Sequence, residues 1–258
     1  MTTPIKCAGC KDGEALGFDF TMAYQPIVDM AAGRVWGYEA LVRGVEGQGA
    51  GWVLDQVTDT NRYGFDQACR VKAITTAGHL FHDPDIRLSI NFMPNAVYEP
   101  AACIRASLSA ARKVGFAPNR ISFEFTEHER LDVAHVQRIV TEYKRIGFKV
   151  ALDDFGSGYN GLSLLADFHP DAIKIDMNLV RGIDTSATRQ AILSGILGIA
   201  RALDIGIIAE GIETEGELAL LMAAGVKLYQ GYLFAKPQIG TLPAVPMLVD
   251  PVAIRVSA

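Results

Sequence analysis

The chain is built from short apolar runs that stop on a polar or charged residue, separated by stretches of helical periodicity, and this unit recurs roughly eight times. Strand-like runs cover 20–28, 34–41, 87–92, 121–127, 148–153, 172–176, 206–210 and 227–232. Helix-like stretches cover 52–60, 65–81, 101–114, 133–146, 161–167, 187–203 and 215–224. Strands alternating with helices argue for a parallel sheet, so the fold class is α/β. A doubly wound open sheet would gather its polar groups at one switch point. Here nearly every strand ends on one, which fits a (β/α)8 barrel of the TIM type, whose site is made from strand C-termini. The opening pair, Phe20 to Val28 and Arg34 to Leu41, is joined by a turn too short for a parallel crossover, so the first strand is expected antiparallel to the rest.

Collected, the strand-terminal residues are Glu39, Asn91, Glu124, Asp153, Asp154, Lys174, Glu210 and Gln230. Around a barrel rim they converge on one basin. Asp153 and Asp154 are adjacent, and neighbouring strand residues point to opposite faces, so they share a task only if the strand stops between them. The candidate ligands are all oxygens, with no His or Cys among them. That set selects a hard cation such as Mg2+ or Mn2+, with Ca2+ as a competitor expected to inhibit and zinc poorly matched. Four carboxylates and a carboxamide exceed what one Mg2+ takes from protein, so two ions bridged by one aspartate are expected, an arrangement suited to displacement at phosphorus. Lys174 supplies a point charge and donors for orienting water. Singly, each residue has a bland explanation. A lone acid at a strand end is commonly a helix N-cap or a surface group, and Lys174 with Asp176 would make a structural salt bridge. Asp-Phe-Gly also occurs in protein kinases, but no glycine-rich strand-loop or His-Arg-Asp segment accompanies it. Their joint occurrence at successive strand ends is what points to one shared basin.

The totals narrow the classes. At 258 residues a single large core is possible, with a domain over 18–245 between tails at 1–17 and 246–258. The longest apolar stretch, Ala191 to Ile208, is broken by Arg201 and Asp204, so no membrane span is expected. No signal-like segment opens the chain, and the expected location is the cytoplasm. A formal charge of −5 leaves no footprint for duplex nucleic acid. Four cysteines do not make a disulfide scaffold at this length, and Cys7 with Cys10 form a half-site without a second half.

Several motifs stand in a fixed order: Tyr24-Gln25-Pro26-Ile27, Tyr38-Glu39-Ala40-Leu41-Val42-Arg43, Leu88-Ser89-Ile90-Asn91 and Phe123-Glu124-Phe125-Thr126-Glu127. Then come Asp153-Asp154-Phe155-Gly156-Ser157-Gly158-Tyr159, Ile173-Lys174-Ile175-Asp176, Ala209-Glu210-Gly211-Ile212-Glu213-Thr214 and Gln230-Gly231-Tyr232-Leu233-Phe234-Ala235-Lys236-Pro237. In these the chain resembles the EAL-domain family of cyclic di-GMP phosphodiesterases, from about Phe18 to Pro237. The resemblance implies hydrolysis of cyclic di-GMP to linear 5′-pGpG in bacterial second-messenger signalling, and frequent pairing into homodimers. It implies one metal held by Glu39, Asn91, Glu124 and Asp153, with Asp153 bridging to a second ion bound also by Asp154. Lys174, Glu210 and Gln230 would hold the attacking water or waters on the metals. Glu127 would steady the loop after Asp154, and Glu213 would support the metal shell. Gln25, Leu41 and Arg43 would contact substrate, Arg43 facing a phosphate. Gly44 departs from the aromatic that many members carry at this point, and the glycine-rich loop after it is short.

Two other classes compete. A degenerate receptor would bind cyclic di-GMP without cleaving it, but such receptors usually lack a ligand, and every expected ligand is present. A metal-dependent proton-abstracting barrel of the enolase type would share only the acids and the lysine.

Overall fold

The computed structural model describes residues 16–126, 132–158 and 161–249. In chain order its elements are β1 (Phe20–Asp29), β2 (Arg34–Gly44), α1 (Ala50–Leu54), α2 (Arg62–Leu80), β3 (Arg87–Asn91), α3 (Pro100–Cys103), α4 (Arg105–Lys113), β4 (Ile121–Thr126), α5 (Val133–Ile146) and β5 (Lys149–Phe155). There follow α6 (Gly161–Asp167), β6 (Ala172–Ile175), α7 (Met177–Val180), α8 (Ala187–Ala202), β7 (Gly206–Ala209), α9 (Glu215–Ala223), β8 (Leu228–Tyr229), β9 (Gln238–Ile239) and α10 (Pro246–Val249). Strands β2 to β8 pair in sequence order, each parallel to the next. β1 closes the ring, antiparallel to both β2 and β8, as the short first turn requires. That turn is set by Asp29, whose carboxylate accepts from Ala32 N at 2.9 Å, and by Gly33 at φ 62°. Among the described residues, no helix is long and apolar enough to cross a membrane.

Alternation along each strand sorts the side chains into two environments. On β4, Phe123 and Phe125 face outward to the helices and are fully buried, while Glu124 points into the barrel and is also fully buried. Phe123 meets Tyr143 and Phe148 at ring-centroid distances of 5.1 and 5.0 Å. Tyr143 belongs to α5, which buries Val136, Ile139, Val140 and Tyr143 along one stripe at helical spacing. Asp132 caps that helix by accepting from Ala134 N and His135 N, and Gly147 ends it at φ 104°. Burial of each such side chain stabilises the fold by roughly 1.5–3 kcal/mol. The hydrophobic core thus lies between strands and helices, which leaves the barrel's interior for polar groups.

Several sequence expectations are corrected. The helix expected over 52–60 is only the short α1, because 55–61 folds into turns closed by Thr58 N donating to Asn61 Oδ1 at 2.8 Å. The helix expected over 101–114 is two, α3 and α4, hinged at Ile104. The last barrel strand pairs only at Leu228 and Tyr229, and β9 adds an antiparallel pairing with Ala23 and Tyr24 on β1. The helical turn α10 lies within the stretch expected as a C-terminal tail and does not contradict it. Cys7, Cys10, Glu127 and Tyr159 lie outside the described residues.

Candidate functional site

At the C-terminal mouth of the barrel one ammonium sits among four carboxylates. Lys174 Nζ lies 2.7 Å from Glu124 Oε2, 2.7 Å from Glu210 Oε1, 3.2 Å from Asp153 Oδ1 and 3.3 Å from Glu39 Oε2. These groups come from β2, β4, β5, β6 and the end of β7, and they meet through the stagger of tilted strands: Glu124 is registered with Ala151, two places before Asp153, and Lys174 with Ile208, two places before Glu210. Lys174, Glu124, Glu39 and Asp153 are all buried. The alternative Lys174–Asp176 pair does not form: Asp176 instead caps α7, accepting from Asn178 N at 2.9 Å.

Asp153 and Asp154 share the mouth by a different device from the one expected. The strand does not stop between them; β5 continues to Phe155. Its register with β6 slips between Leu152 and Phe155, and Asp154 takes the left-handed conformation at φ 54°. Such a bulge turns two successive side chains toward one side, and aspartate tolerates αL better than most residues. Asp153 Oδ1 accepts from Asp154 N at 3.0 Å, which fixes the kink.

Hydrogen bonds tie the rest of the rim to this centre. Asn91 Nδ2 donates to Glu39 Oε1 at 2.6 Å, and Gln230 Nε2 donates to Glu39 Oε2 at 2.7 Å and to Gln25 Oε1 at 3.2 Å. Gln25 Nε2 in turn donates to Ala235 O at 3.2 Å. Behind Asn91, Asp66 on α2 accepts from Met93 N at 2.9 Å and is itself held by the buried Arg70 at 2.8 Å. Glu213 is gripped by both guanidinium nitrogens of Arg181, at 2.6 and 2.7 Å. The buried Glu217 accepts from Gly182 N, Glu213 N and Thr214 N, at 2.9, 3.0 and 3.1 Å, which links the loop after α7 to the loop after β7.

Electrostatics at the centre follow from crowding. Burial pushes the Glu124 carboxyl up to about 8, with Glu39 and Asp153 adding to it against the pull of Lys174. Burial likewise raises Asp153, and raises Glu210 well above the carboxylate range. Burial also opposes ionisation of Glu39, but Lys174, Gln230 and Asn91 outweigh it and hold this group below its ordinary value. Burial alone would lower Lys174; the surrounding acids reverse this and raise it well above its ordinary value.

The residues fit hard divalent ions. Glu39, Glu124 and Asp153 present oxygens within 4.8 Å of one another, and so do Asp153, Asp154 and Glu210. Asp153 belongs to both triads. Glu124 Oε1 and Gln230 Oε1 are buried and accept no hydrogen bond from any described residue. Unsatisfied buried oxygens are costly, and an all-oxygen donor set with spare lone pairs suits Mg2+ or Mn2+. A cleft of about 250 Å3 opens over this centre, lined by Gln25, Glu39, Leu41, Asp154, Glu210, Glu213 and Gln230.

Most of the sequence-derived site thus lies together. Arg43 does not line the cleft: its Nη1 turns back to Val42 O at 2.7 Å. Asn91 and Leu41 also line a neighbouring cavity of about 320 Å3 that reaches Cys69 and Asp66. Sequence reasoning assigned no site role to Asp176, Met177 and Tyr232, which line the cleft, or to Arg181 and Glu217, which hold Glu213. Tyr232 and Met177 carry large apolar surfaces that are 54% and 47% exposed, too exposed for core residues.

The fold and the mouth define a class: a closed (β/α)8 barrel with one reversed strand and an acidic, metal-competent C-terminal rim. Within that class, the chain belongs to the EAL domain family, whose model matches residues 15–237. The Escherichia coli blue light- and temperature-regulated antirepressor BluF is 33% identical over 86% of this chain and 55% of its own length. The cyclic di-GMP phosphodiesterase PA2567 of Pseudomonas aeruginosa is 30% identical over 93% of this chain and 41% of its own. The chain therefore spans about half the length, or less, of these curated relatives. Among solved structures, a standalone EAL protein from Vibrio cholerae O395 with c-di-GMP bound matches at TM-score 0.88 and 51% identity, over 92% of this chain and 100% of that one. Klebsiella pneumoniae BlrP1 in its manganese and c-di-GMP complex matches at TM-score 0.81 and 34% identity, over 88% of this chain and 58% of that one.

Proposed function

We propose that this chain hydrolyses one phosphodiester of cyclic di-GMP to linear 5′-pGpG. The observation that carries the reading is Asp153, whose carboxylate belongs to two oxygen triads at once, beside two buried oxygens that lack a partner among the described residues. Glu39, Asn91, Glu124 and Asp153 would hold one divalent ion, and Asp153 with Asp154 and Glu210 a second. A pair of Mg2+ or Mn2+ ions supplies Lewis acidity toward phosphate oxygens and makes water nucleophilic at neutral pH. Lys174, kept protonated by its carboxylate ring, would turn a donor to water or to charge developing on the phosphate once the ions draw those carboxylates to themselves. Gln230 and Asn91 hold Glu39 from both sides and so fix its rotamer. Gln25 and Leu41 lie at the wall that a nucleotide would touch, and the exposed faces of Met177 and Tyr232 suit a flat base. Arg43, outside the cleft lining and with Nη1 on Val42 O, would have to turn its guanidinium toward a phosphate bound there. Glu213, held by Arg181, keeps the loop after Glu210 in place.

Incubation with cyclic di-GMP and Mn2+, followed by chromatography, tests this. Linear product that EDTA abolishes, and that Glu39→Ala fails to form while retaining its circular dichroism, is the expected result. The relative that is named an antirepressor favours one second reading, a receptor that binds cyclic di-GMP without turnover. Saturable binding with unchanged substrate would select it.

The proposed assembly is a homodimer, supported by a groove of about 400 Å3 between α6 and α8 that is flanked by the exposed Leu162 and Ile192. The proposed setting is the cytoplasm, consistent with the buried thiol of Cys69, which is in no disulfide. Absence of nucleic-acid and membrane partners is proposed from the −5 charge and from the helix lengths.

A further inference from the structure

The opposite end of the barrel is built for the opposite charge. Where the strands begin, a cavity of about 500 Å3 is lined by Arg87, Arg120, Lys144, Lys149, His169 and Asp171 among others. Its depth has a simple cause: Ser122, Ala172 and Gly206 contribute little volume at the floor. Lys144 and Lys149 share Asp171, at 3.4 and 2.9 Å, and Lys144 also stands in the last turn of α5, where cations are favoured. Arg120 is engaged by the carbonyls of Ile86 and Asp83, at 2.9 and 2.8 Å. Partial burial lowers the Arg120 pKa, with Arg87 adding to this against Asp83 and Asp85.

Arg87 is not explained by such pairings. Its guanidinium is half-buried, lies 4.9 Å from the Trp36 ring, and donates to no described residue. A planar cation with unused donors beside another guanidinium is an unbalanced arrangement, and a phosphate is what such a fork fits. Trp36 is placed there by a bulge. Gly37 pairs with Ile27 and Val35 with Val28, so Trp36 is the extra residue of β2, re-aimed at the barrel's lower mouth. Gly37 allows the close approach of β3, since a Cβ there would lie 2.8 Å from Arg87 O. Trp36 also borders a second cavity of about 500 Å3, which shares Asp204, Gly206 and Leu228 with the first. The second cavity is lined by Asp29 and Asp204 together with Arg201 and Lys227, so its charges are mixed, and Asp204 borders both cavities.

We propose that this lower mouth binds a nucleoside phosphate, with its phosphates on Arg87 and Arg120 and its base against Trp36. Cavities of this size suit small ligands, and an indole beside cations is a platform that stacks bases. The site lies at the N-terminal ends of the strands, whereas the acidic cleft lies at their C-terminal ends, so occupancy of one does not obstruct the other.

Tryptophan emission reads the site directly, because the chain has two tryptophans, Trp36 and Trp52. In a Trp52→Phe background with EDTA present, GTP, inorganic pyrophosphate and guanosine are titrated while Trp36 is followed. GTP is expected to give a saturable change, with pyrophosphate weaker and guanosine not saturating. Arg87→Gln should weaken GTP by about tenfold to a hundredfold, the loss for a charge-assisted phosphate contact. Lys149→Gln, at a side chain 54% exposed whose partner Asp171 keeps Lys144, should weaken it by about threefold through reduced local charge. Cyclic di-GMP turnover should stay within about twofold in both variants, since neither touches the upper cleft. Absence of saturation by GTP, unchanged GTP affinity in both variants, or pyrophosphate matching GTP would overturn the proposal.

Discussion

Replacing Lys174 with alanine separates the two roles the structure gives this side chain. In the metal-free protein its ammonium is, among the described residues, the one cation within 3.3 Å of Glu124, Glu210, Asp153 and Glu39. Its removal leaves buried acids without a counter-charge, a change that costs about 3–5 kcal/mol when the acids stay ionised. For a chain of this size that corresponds to a fall in Tm of roughly 8–15 °C. The loss depends on pH with a definite sign. Glu124, Asp153 and Glu210 have raised folded-state pKa values, so their contribution is favourable at low pH and is lost as pH rises through those values. Lys174→Ala should therefore lose more stability in EDTA above about pH 8 than near pH 5, where Glu124 is protonated and needs no ammonium, although Glu39, held below its ordinary value, still loses its partner. With Mn2+ present the ions replace the missing charge and stability should recover. Turnover should still fall by about a hundredfold or more, because the ions do not replace a donor aimed at water. Thermal melts at the two pH values, with and without Mn2+, and a Mn2+ titration of the variant provide the assay. Equal destabilisation at both pH values, or metal affinity falling in step with rate, would refute the reasoning.

Two further outcomes follow from the same geometry. Adding Mn2+ to metal-free protein in weak buffer near pH 7 should release protons, because Glu124, with its carboxyl pushed up to about 8, must ionise to ligate, and apparent affinity should rise with pH toward that value; a pH-stat trace showing no release would contradict it. Gly231→Ala places a Cβ 2.1 Å from Ile212 O, a backbone atom that cannot swing aside, so the loop after Gln230 must move. A loss of roughly 1–3 kcal/mol in chemical denaturation is expected, together with reduced activity, and full stability would count against so close an approach of these two loops.

The barrel was legible because its strands announce both ends: apolar alternation gives the body, and a polar residue marks the mouth. Glu39, Glu124, Asp153, Lys174 and Glu210 all followed from that one regularity, since a charged residue near the end of one apolar strand is common but its recurrence on strand after strand is not. The Asp153–Asp154 kink was half-legible. Two adjacent acids require a backbone irregularity, but whether the strand ends or bulges depends on β6, which pairs again at Phe155. Arg181, Glu217 and the Trp36–Arg87 stack were not legible. Each acts across a long stretch of chain, and nothing local distinguishes Arg181 from a surface arginine. The short helix α7 is hidden because four residues carry no period; its one signal is Asp176 as a cap, and in sequence that residue reads equally as a salt-bridge partner for Lys174.

The central claim is that acids from separate strands make one two-ion site through Asp153. Counting Mn2+ per chain by equilibrium dialysis tests it most directly, with wild type, Asp154→Asn and Asp153→Asn measured side by side. The account expects two ions in wild type, one in Asp154→Asn, and loss of tight binding at both positions in Asp153→Asn. A wild-type chain that holds no ion, or an Asp153→Asn chain that still holds two, would contradict it.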